Sequence, residues 1–159
     1  IYEPHKTSSN LDISNPYEVT KAIQQARFLS GRYRTESLAS HWSNNPNGYC
    51  QVQPCVTTVE TVMHILVDCD GFTETRRNLS NLWLSCADSN VLLLVIEALS
   101  NSAEYFLQFV LDCSVLPSVI RATQLYGNSV LEQLFYLTRT WCYTIHRKRM
   151  KILGRWNFQ

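Results

Sequence analysis

The stretch YCQVQPCVTTVETVMHILVDC, residues 49–69, carries two cysteine-containing turns on either side of one short helical pattern. Cys50 and Cys55 are separated by four residues, and after a gap of eight residues His64 and Cys69 are separated by four more. Zinc prefers thiolate and imidazole ligands, and two local ligand pairs joined by one element can complete a tetrahedron without a large core. The spacing therefore predicts a structural Zn²⁺ site made by these four side chains, with one ion per chain.

The residues around the ligands predict where the helix of this stretch begins and ends. Thr57 followed by Glu60 has the form of a capping box, which predicts a helix start shortly before the histidine. Residues five apart in a regular helix point about 140° away from each other. We therefore expect the helix to end between His64 and Cys69, so that both side chains can reach one ion.

A plainer interpretation is that the first two cysteines belong to a loop and that His64 is a satisfied histidine at the rim of the core. The zinc interpretation is favoured because two cysteine-bearing turns flank one helix in a chain with only four histidines. If one predicted ligand is wrong, the nearest substitutes are His41, Asp68 and Asp70.

Composition places the chain among folded proteins of single-domain size. Its 159 residues are 45% hydrophobic and 17% charged, and the formal net charge of +1 creates no overall basic field.

The remaining cysteines, Cys86, Cys113 and Cys142, lie in apolar periodic patterns without a signal peptide, so we expect reduced core residues in an intracellular protein. The most apolar run, residues 91–96, is too short to cross a bilayer, and we expect no membrane partner. The chain begins with isoleucine, and we therefore expect a fragment of a longer polypeptide or a processed product.

Helix signals follow one another along the chain, and no segment shows sustained strict alternation. Asn15, Pro16 and Glu18 form a helix start, and Thr35 caps a second, short helix. We expect these two helices to bury apolar residues, namely Val19, Ile23, Ala26, Phe28 and Leu29 in the first and Leu38 and Trp42 in the second.

The second half of the chain continues the helical pattern. Helix starts are predicted at Asp88, Ser102 and Pro117, and a long amphipathic helix begins near Ser129. Apolar residues repeat along it in steps of four and three, at Val130, Leu134, Leu137, Trp141 and Ile145. We predict an all-α fold, an irregular helical domain with a small Cys-Cys-His-Cys zinc-binding loop and helix module. Residues 1–14 are expected to form a linker or extended arm, residues 15–86 the helical zinc-binding region, and residues 87–159 a C-terminal helical region with a basic tail.

Positive charge is concentrated in three places despite the neutral balance of the chain. The residues concerned are Arg32, Arg34, Arg76, Arg77, Arg147, Lys148, Arg149 and Lys151. Cations near the end of the last helix also interact favourably with the helix dipole, which explains part of the clustering. The alternative is a patch that contacts phosphates, with Trp141, Tyr143 and Trp156 near it for stacking. The charge pattern by itself leaves both interpretations open.

The segment FLSGRYRTESLASHW, the four predicted ligands and the arginines that follow them resemble the zinc-binding region after the polymerase domain of non-LTR (LINE-type) retrotransposon reverse transcriptases. The resemblance covers residues 28–83. In that family a leucine, small residue, glycine and basic residue precede the cluster, as do residues 29–32 here, and Glu60, Ile65 and Leu66 also match. The first cysteine pair of the family is more commonly separated by two residues, and a proline often stands where this chain has Asp70.

The resemblance implies a C-terminal accessory domain of a larger enzyme that nicks a target and copies its own RNA at the break. It implies RNA or DNA and the upstream polymerase domain of the same polypeptide as partners, in a ribonucleoprotein of the nucleus and cytoplasm. The chain itself has no polymerase aspartate pair and no carboxylate set for a two-metal nuclease. We therefore expect no catalysis by this chain and no small-molecule substrate.

Two further functions compete with nucleic-acid binding. The surplus of apolar residues in residues 91–125 favours a protein interaction module in which zinc only holds the helices. A zinc hydrolase is disfavoured, because three thiolates with one histidine describe a closed structural site without an open position for water.

Overall fold

The computed structural model describes residues 15–155, so the predicted arm at residues 1–14 and Trp156 lie outside the described residues. Within this range the chain forms seven α-helices, and its only β-type pairing is an isolated antiparallel bridge between Tyr49 and Val59. The predicted all-α fold is confirmed. The helices are α1 (Pro16–Leu29), α2 (Glu36–Ala39), α3 (Thr73–Cys86), α4 (Ser89–Ser100), α5 (Ala103–Asp112), α6 (Pro117–Tyr126) and α7 (Ser129–Leu153).

Most helix starts follow from local capping chemistry. The side chains of Asn15, Thr35, Asp88 and Ser102 each accept a hydrogen bond from a backbone N–H in the first turn of the helix that follows. Proline occupies the first position of α6, where its missing N–H leaves no bond unmade. These predicted starts are confirmed.

Helix α7 is the centre of the core. All five residues of its predicted apolar stripe are buried, and the helix packs against α1, α3, α5 and α6. The Trp141 ring lies 4.7 Å from the Trp83 ring and 4.9 Å from the Phe106 ring, measured between centroids. The Trp141 indole N–H donates to the Leu66 carbonyl oxygen at 3.1 Å. One hydrophobic cluster therefore includes residues from both sides of the predicted boundary at residue 86.

Helix α1 buries a polar face, which contradicts the predicted apolar side except at Phe28. Lys21, Gln24 and Gln25 are buried with it, whereas Ile23 is 45% exposed. The Gln25 side-chain amide donates to the Val110 carbonyl oxygen at 2.8 Å and to the Thr138 hydroxyl at 2.9 Å. Because α5 and α7 offer polar partners at this contact, the Gln25 amide is satisfied inside and part of the apolar side is left outside.

Three further burial predictions are wrong. Leu38 and Trp42 are 43% and 64% exposed, because the short helix α2 turns Glu36 and Ala39 inward instead. Cys86 is exposed as the last residue of α3, whereas Cys113 and Cys142 are buried as predicted.

A buried ion pair connects the end of α7 to the first half of the chain. The Arg149 guanidinium donates to both carboxylate oxygens of Glu60, at 3.1 and 2.6 Å, and a Glu36 oxygen lies 3.6 Å away. Arg149, Glu60 and Glu36 are 1%, 0% and 2% exposed. The Glu36 backbone N–H also donates to Glu60 at 2.8 Å, and Arg155 pairs with Glu36 from the edge. Arg149 is thus held inside the fold and is not part of an exposed phosphate-binding patch.

The segment Ala103–Tyr126 is long and apolar enough to cross a membrane, with a mean hydropathy of 1.3 over its most apolar window. Core helices of soluble proteins can have the same length and composition. In this structure the segment is two helices separated by the 3₁₀ turn Cys113–Val115, with an extended residue at Leu116. Phe109 and Val110 are fully buried in the core, although only 33% of the window is buried overall. The segment therefore serves as core on one side and leaves apolar surface on the other.

We predict that Arg149→Ala lowers the free energy of unfolding by about 3–5 kcal/mol, because it leaves the buried Glu60 carboxylate without its cation. Lys148→Ala is the matched control, since Lys148 is the exposed neighbour on the same helix, and its effect should stay within about 0.5 kcal/mol. Urea unfolding followed by circular dichroism measures both. Equal stability of the two variants would show that the ion pair does not hold this fold together.

Candidate metal centre and basic cavity

A closed loop positions the first two cysteines. The Cys50 N–H donates to the Thr58 carbonyl at 2.7 Å, and the Glu60 N–H donates to the Gly48 carbonyl at 2.8 Å. The tip of the loop is a turn in which the Cys55 N–H donates to the Val52 carbonyl at 2.9 Å. Both cysteines are therefore carried by hydrogen-bonded backbone within one loop.

A π-helical turn positions His64 and Cys69. The turn spans His64–Asp68, and the Cys69 N–H donates to the His64 carbonyl at 2.6 Å. A π-turn bonds residues five apart instead of four, so it brings Cys69 above His64, which a regular α-helix would not do. The helix ends before Cys69, as predicted. Its start is capped by Thr61, whose hydroxyl accepts from the His64 N–H at 3.1 Å; the predicted capping box of Thr57 and Glu60 is wrong, because Glu60 binds Arg149.

These elements bring the predicted ligands together. The ligand atoms of Cys50, His64 and Cys69 all lie within 4.8 Å of one another, and all three residues are buried. The sulfur of Cys55 lies 3.8 Å from the sulfur of Cys69, which itself lies 3.9 Å from the sulfur of Cys50. Three donors therefore form a group that can hold a metal ion, and Cys55 lies at its edge.

The surroundings of the group fit a bound cation. Backbone N–H groups of Val52 and Asp70 donate to the sulfurs of Cys50 and Cys55, at 3.4 and 3.3 Å, an arrangement that stabilises thiolates. The His64 Nε2 atom is buried and has no hydrogen-bond partner. A buried imidazole nitrogen without a partner is unfavourable, and coordination of a metal would satisfy it.

The thiols titrate as a pair. The hydrogen bond from Cys69 lowers the pKa of Cys50 to about 6, whereas the contact with Cys50 and burial raise the pKa of Cys69. A second thiolate beside the first is thus disfavoured unless positive charge compensates it. Arg76 lies close enough for its charge to interact with Cys69 and Cys55, although burial lowers its own pKa. Arg76, predicted as a phosphate contact, is therefore placed beside the metal group.

The predicted substitute ligands do not join the group. Asp68 and Asp70 are exposed, and His41 lines a separate shallow cavity with Leu38 and Val62. Cys50, His64 and Cys69, which the cysteine and histidine spacing predicted as ligands, form the group without His41, Asp68 or Asp70.

Glycine at position 71 allows the loop that carries Cys50 and Cys55 to approach the turn after Cys69. A Cβ atom on Gly71 would lie 2.3 Å from Cγ1 of Val52 and 2.8 Å from the carbonyl oxygen of Gln53. Both distances are far below van der Waals contact, so any side chain here would push the loop that carries Cys50 and Cys55 away from Cys69.

The structure also forms a basic cavity of about 350 Å³ between α1, the segment after it and the end of α7. Its basic lining consists of His146 and five arginines, Arg27, Arg32, Arg34, Arg149 and Arg155. No aspartate or glutamate is among the residues that line it. The cavity thus brings together Arg32 and Arg34, predicted from the first half of the chain, with residues of the C-terminal tail.

Local backbone structure explains this convergence. Gly31 adopts a φ of 71°, a left-handed conformation that favours glycine, and reverses the chain after α1. The Arg32 N–H then donates to the Arg27 carbonyl at 3.0 Å, which returns Arg32 to the end of the helix. The sequence interpretation did not include Arg27 among the phosphate contacts. Gly31, which follows the end of α1 between Arg27 and Arg32, could have indicated that the chain turns back there and brings the two arginines together.

His146 and Tyr33 form the buried side of the cavity. The Tyr33 hydroxyl lies 2.8 Å from Nδ1 of His146, and burial raises the pKa of Tyr33 to about 12. Burial and the nearby charges of Arg149 and Arg27 lower the pKa of His146 to about 4. His146 is therefore neutral at physiological pH.

The other predicted cationic residues lie elsewhere. Arg77 is exposed on α3, and Arg147, Lys148 and Lys151 are exposed on α7. None of the four lines the basic cavity.

We predict that Gly71→Ala weakens metal binding and lowers the melting temperature, because the added methyl group separates the two halves of the metal group. Asp70→Ala is the control: its side chain is exposed, and its backbone N–H still reaches Cys55. Competition with a colorimetric chelator measures metal affinity, and the loss for Gly71→Ala should be about 10-fold to 100-fold, the range typical of disturbed ligand support. An unchanged affinity would contradict the close approach at this glycine.

A scan against protein-family models, a search of curated proteins and a search of solved structures each found no match to this chain.

Proposed function

We propose that this chain is a zinc-stabilised helical domain that binds RNA or DNA. The observation that carries the proposal is the cluster of Arg27, Arg32 and Arg34 around a cavity lined by no carboxylate. In the described residues, none of the three forms an ion pair. Arginines left without acidic partners on one surface are the usual electrostatic footprint of a phosphate-binding protein.

Zinc is the metal that best suits the candidate group. Tetrahedral zinc with Zn–S bonds of about 2.3 Å holds its sulfurs about 3.8 Å apart, close to the two sulfur distances found here, 3.9 and 3.8 Å. Cys50, His64 and Cys69 supply three ligands, and Cys55 is proposed as the fourth. Three thiolates and one imidazole leave no open position, so the ion would hold the loop against the π-turn and would not act in hydrolysis.

The parent protein is proposed to be a non-LTR retrotransposon-type reverse transcriptase, with this chain as its accessory domain during target-primed reverse transcription. Residues 28–83 carry the resemblance to that family. Two of its elements reach the same cavity here, because Arg32 lines the cavity and Glu60 binds Arg149, which also lines it. An RNA or DNA strand and the upstream polymerase domain would then be the partners.

We predict one zinc ion per chain, to be measured by metal analysis of the purified protein. Chelation should lower the melting temperature by roughly 10 °C, the shift expected when a domain of this size loses a few kcal/mol. Cys50→Ser and Cys69→Ser should abolish zinc binding, and Cys55→Ser should weaken it if Cys55 is the fourth ligand. Cys86→Ser is the control because Cys86 is exposed, and it should retain the full amount of zinc. A metal-free protein with an unchanged melt would refute the zinc proposal.

We predict binding of single-stranded RNA or DNA that weakens steeply with salt. Each neutralised phosphate adds about 0.7 to the slope of log K against log salt concentration on a single strand. The double variant Arg32→Ala, Arg34→Ala should therefore reduce the slope by about 1.4. Arg121→Ala, which removes an exposed arginine of α6, should leave the slope unchanged. Fluorescence polarisation titrations at several salt concentrations measure these slopes, and equal slopes for the two variants would exclude the cavity as the binding surface.

A second candidate function is a protein interaction module, and exposed apolar side chains favour it. Leu93 on α4 is 75% exposed and Leu125 on α6 is 72% exposed, with Ile96 and Tyr126 also exposed on these two packed helices. Apolar surface of this kind commonly marks a contact with another protein. No nucleic-acid binding at low salt, together with self-association in sedimentation experiments, would favour this function over the first.

A further inference from the structure

The basic cavity has a closed floor and an open rim. Its floor is made of buried side chains, with Gln24, Tyr33 and His146 only 3%, 4% and 3% exposed. The rim carries Arg32 and Arg34, both exposed. A pocket of about 350 Å³ is at the small end of the range for small-molecule sites. It is larger than a bare phosphate group needs, and the buried side chains close its floor.

The charges around the cavity are only partly compensated. Arg149 and Arg155 are paired with Glu60 and Glu36, and these pairs account for two of the five lining arginines. Arg27, Arg32 and Arg34 have no ion-pair partner within residues 15–155. Three guanidinium groups around one cavity repel each other, and a doubly charged anion would relieve this repulsion.

Two buried polar atoms in the lining also lack partners. They are Nε2 of His146 and the side-chain oxygen of Gln24. The Tyr33 hydroxyl lies 2.8 Å from Nδ1 of His146 and can donate its hydrogen to that atom. The neutral imidazole then carries its hydrogen on Nε2, which makes this atom a donor without an acceptor. Native proteins rarely leave a buried donor unpaired, and this one belongs to a side chain that lines the cavity.

We propose that this cavity is a binding site for a phosphate monoester. Arg27, Arg32 and Arg34 would contact the phosphate oxygens, and His146 would donate a hydrogen bond from the floor. A monoester carries about −1.5 to −2 charges at pH 7, whereas a phosphodiester within a strand carries one, so three arginines favour a terminal phosphate. The closed floor agrees with a chain end or a free nucleotide. The choice of a strand end rests on the proposed nucleic-acid function; the phosphate site itself does not.

Matched oligonucleotides test this proposal. A labelled single strand with a 5′-phosphate, the same strand with a 3′-phosphate and the same strand with hydroxyl groups at both ends are titrated at one salt concentration. We expect one phosphorylated end to bind about 10-fold more tightly than the hydroxyl ends, since charge-assisted bonds are among the strong ones. Adenosine monophosphate should compete with that strand, and inorganic phosphate should compete more weakly.

Variants locate the effect within the cavity. Arg27→Ala and Arg34→Ala should each remove most of the 10-fold preference, and Arg121→Ala should keep it; circular dichroism and zinc content confirm that all three are folded. Equal binding of phosphorylated and hydroxyl strands, without competition by adenosine monophosphate, would overturn the phosphate site and leave nucleic-acid binding standing. Thermal stabilisation by adenosine monophosphate that Arg34→Ala abolishes, with no binding of any strand, would support the phosphate site and overturn the proposed function.

Discussion

Arg149 and Glu60 meet in a bidentate ion pair from which water is excluded, and a buried charge is stable only while its partner stays in place. This requirement joins distant parts of the chain. Glu60 is in the segment between the cysteine loop and the π-turn, Glu36 begins α2, and Arg149 is near the end of α7. This one contact joins the segment between the two predicted ligand pairs to the helix that lines the basic cavity.

The arginines of the chain serve different purposes according to their partners. Those paired with carboxylates, Arg149 and Arg155, connect helices and contribute to stability. Arg27, Arg32 and Arg34 line the cavity and have no acidic partner within residues 15–155, so no ion pair described there compensates their charge. Arg76 represents a third situation, since its charge lies close enough to interact with Cys69 and Cys55. A list of basic residues from the sequence does not separate these roles, because the partners that distinguish them come from distant positions.

Local physics explains where sequence interpretation succeeded. Helix caps and the apolar stripe of α7 depend on residues three or four positions apart, so they could be read directly. The ligand spacing also predicted the convergence of Cys50, His64 and Cys69, including the end of the helix before Cys69. The polar inward face of α1 could not be foreseen, because Gln25 is buried only when Val110 and Thr138 supply hydrogen-bond partners. The exposure of Trp42 and Cys86 likewise depends on which neighbours pack nearby.

The sequence by itself determined the all-α class, most helix starts and the residues of a group that can hold a metal ion, because each follows from short-range spacing and capping chemistry. Only the tertiary structure decided which charges are enclosed in ion pairs and which line the basic cavity without one. Glu60, which has the spacing of a helix cap, became the partner of Arg149, and Arg27, Arg32 and Arg34 came to surround one cavity with His146 in its floor. Such pairings join residues about a hundred positions apart, and the free energy that selects them arises only when the helices pack and exclude water.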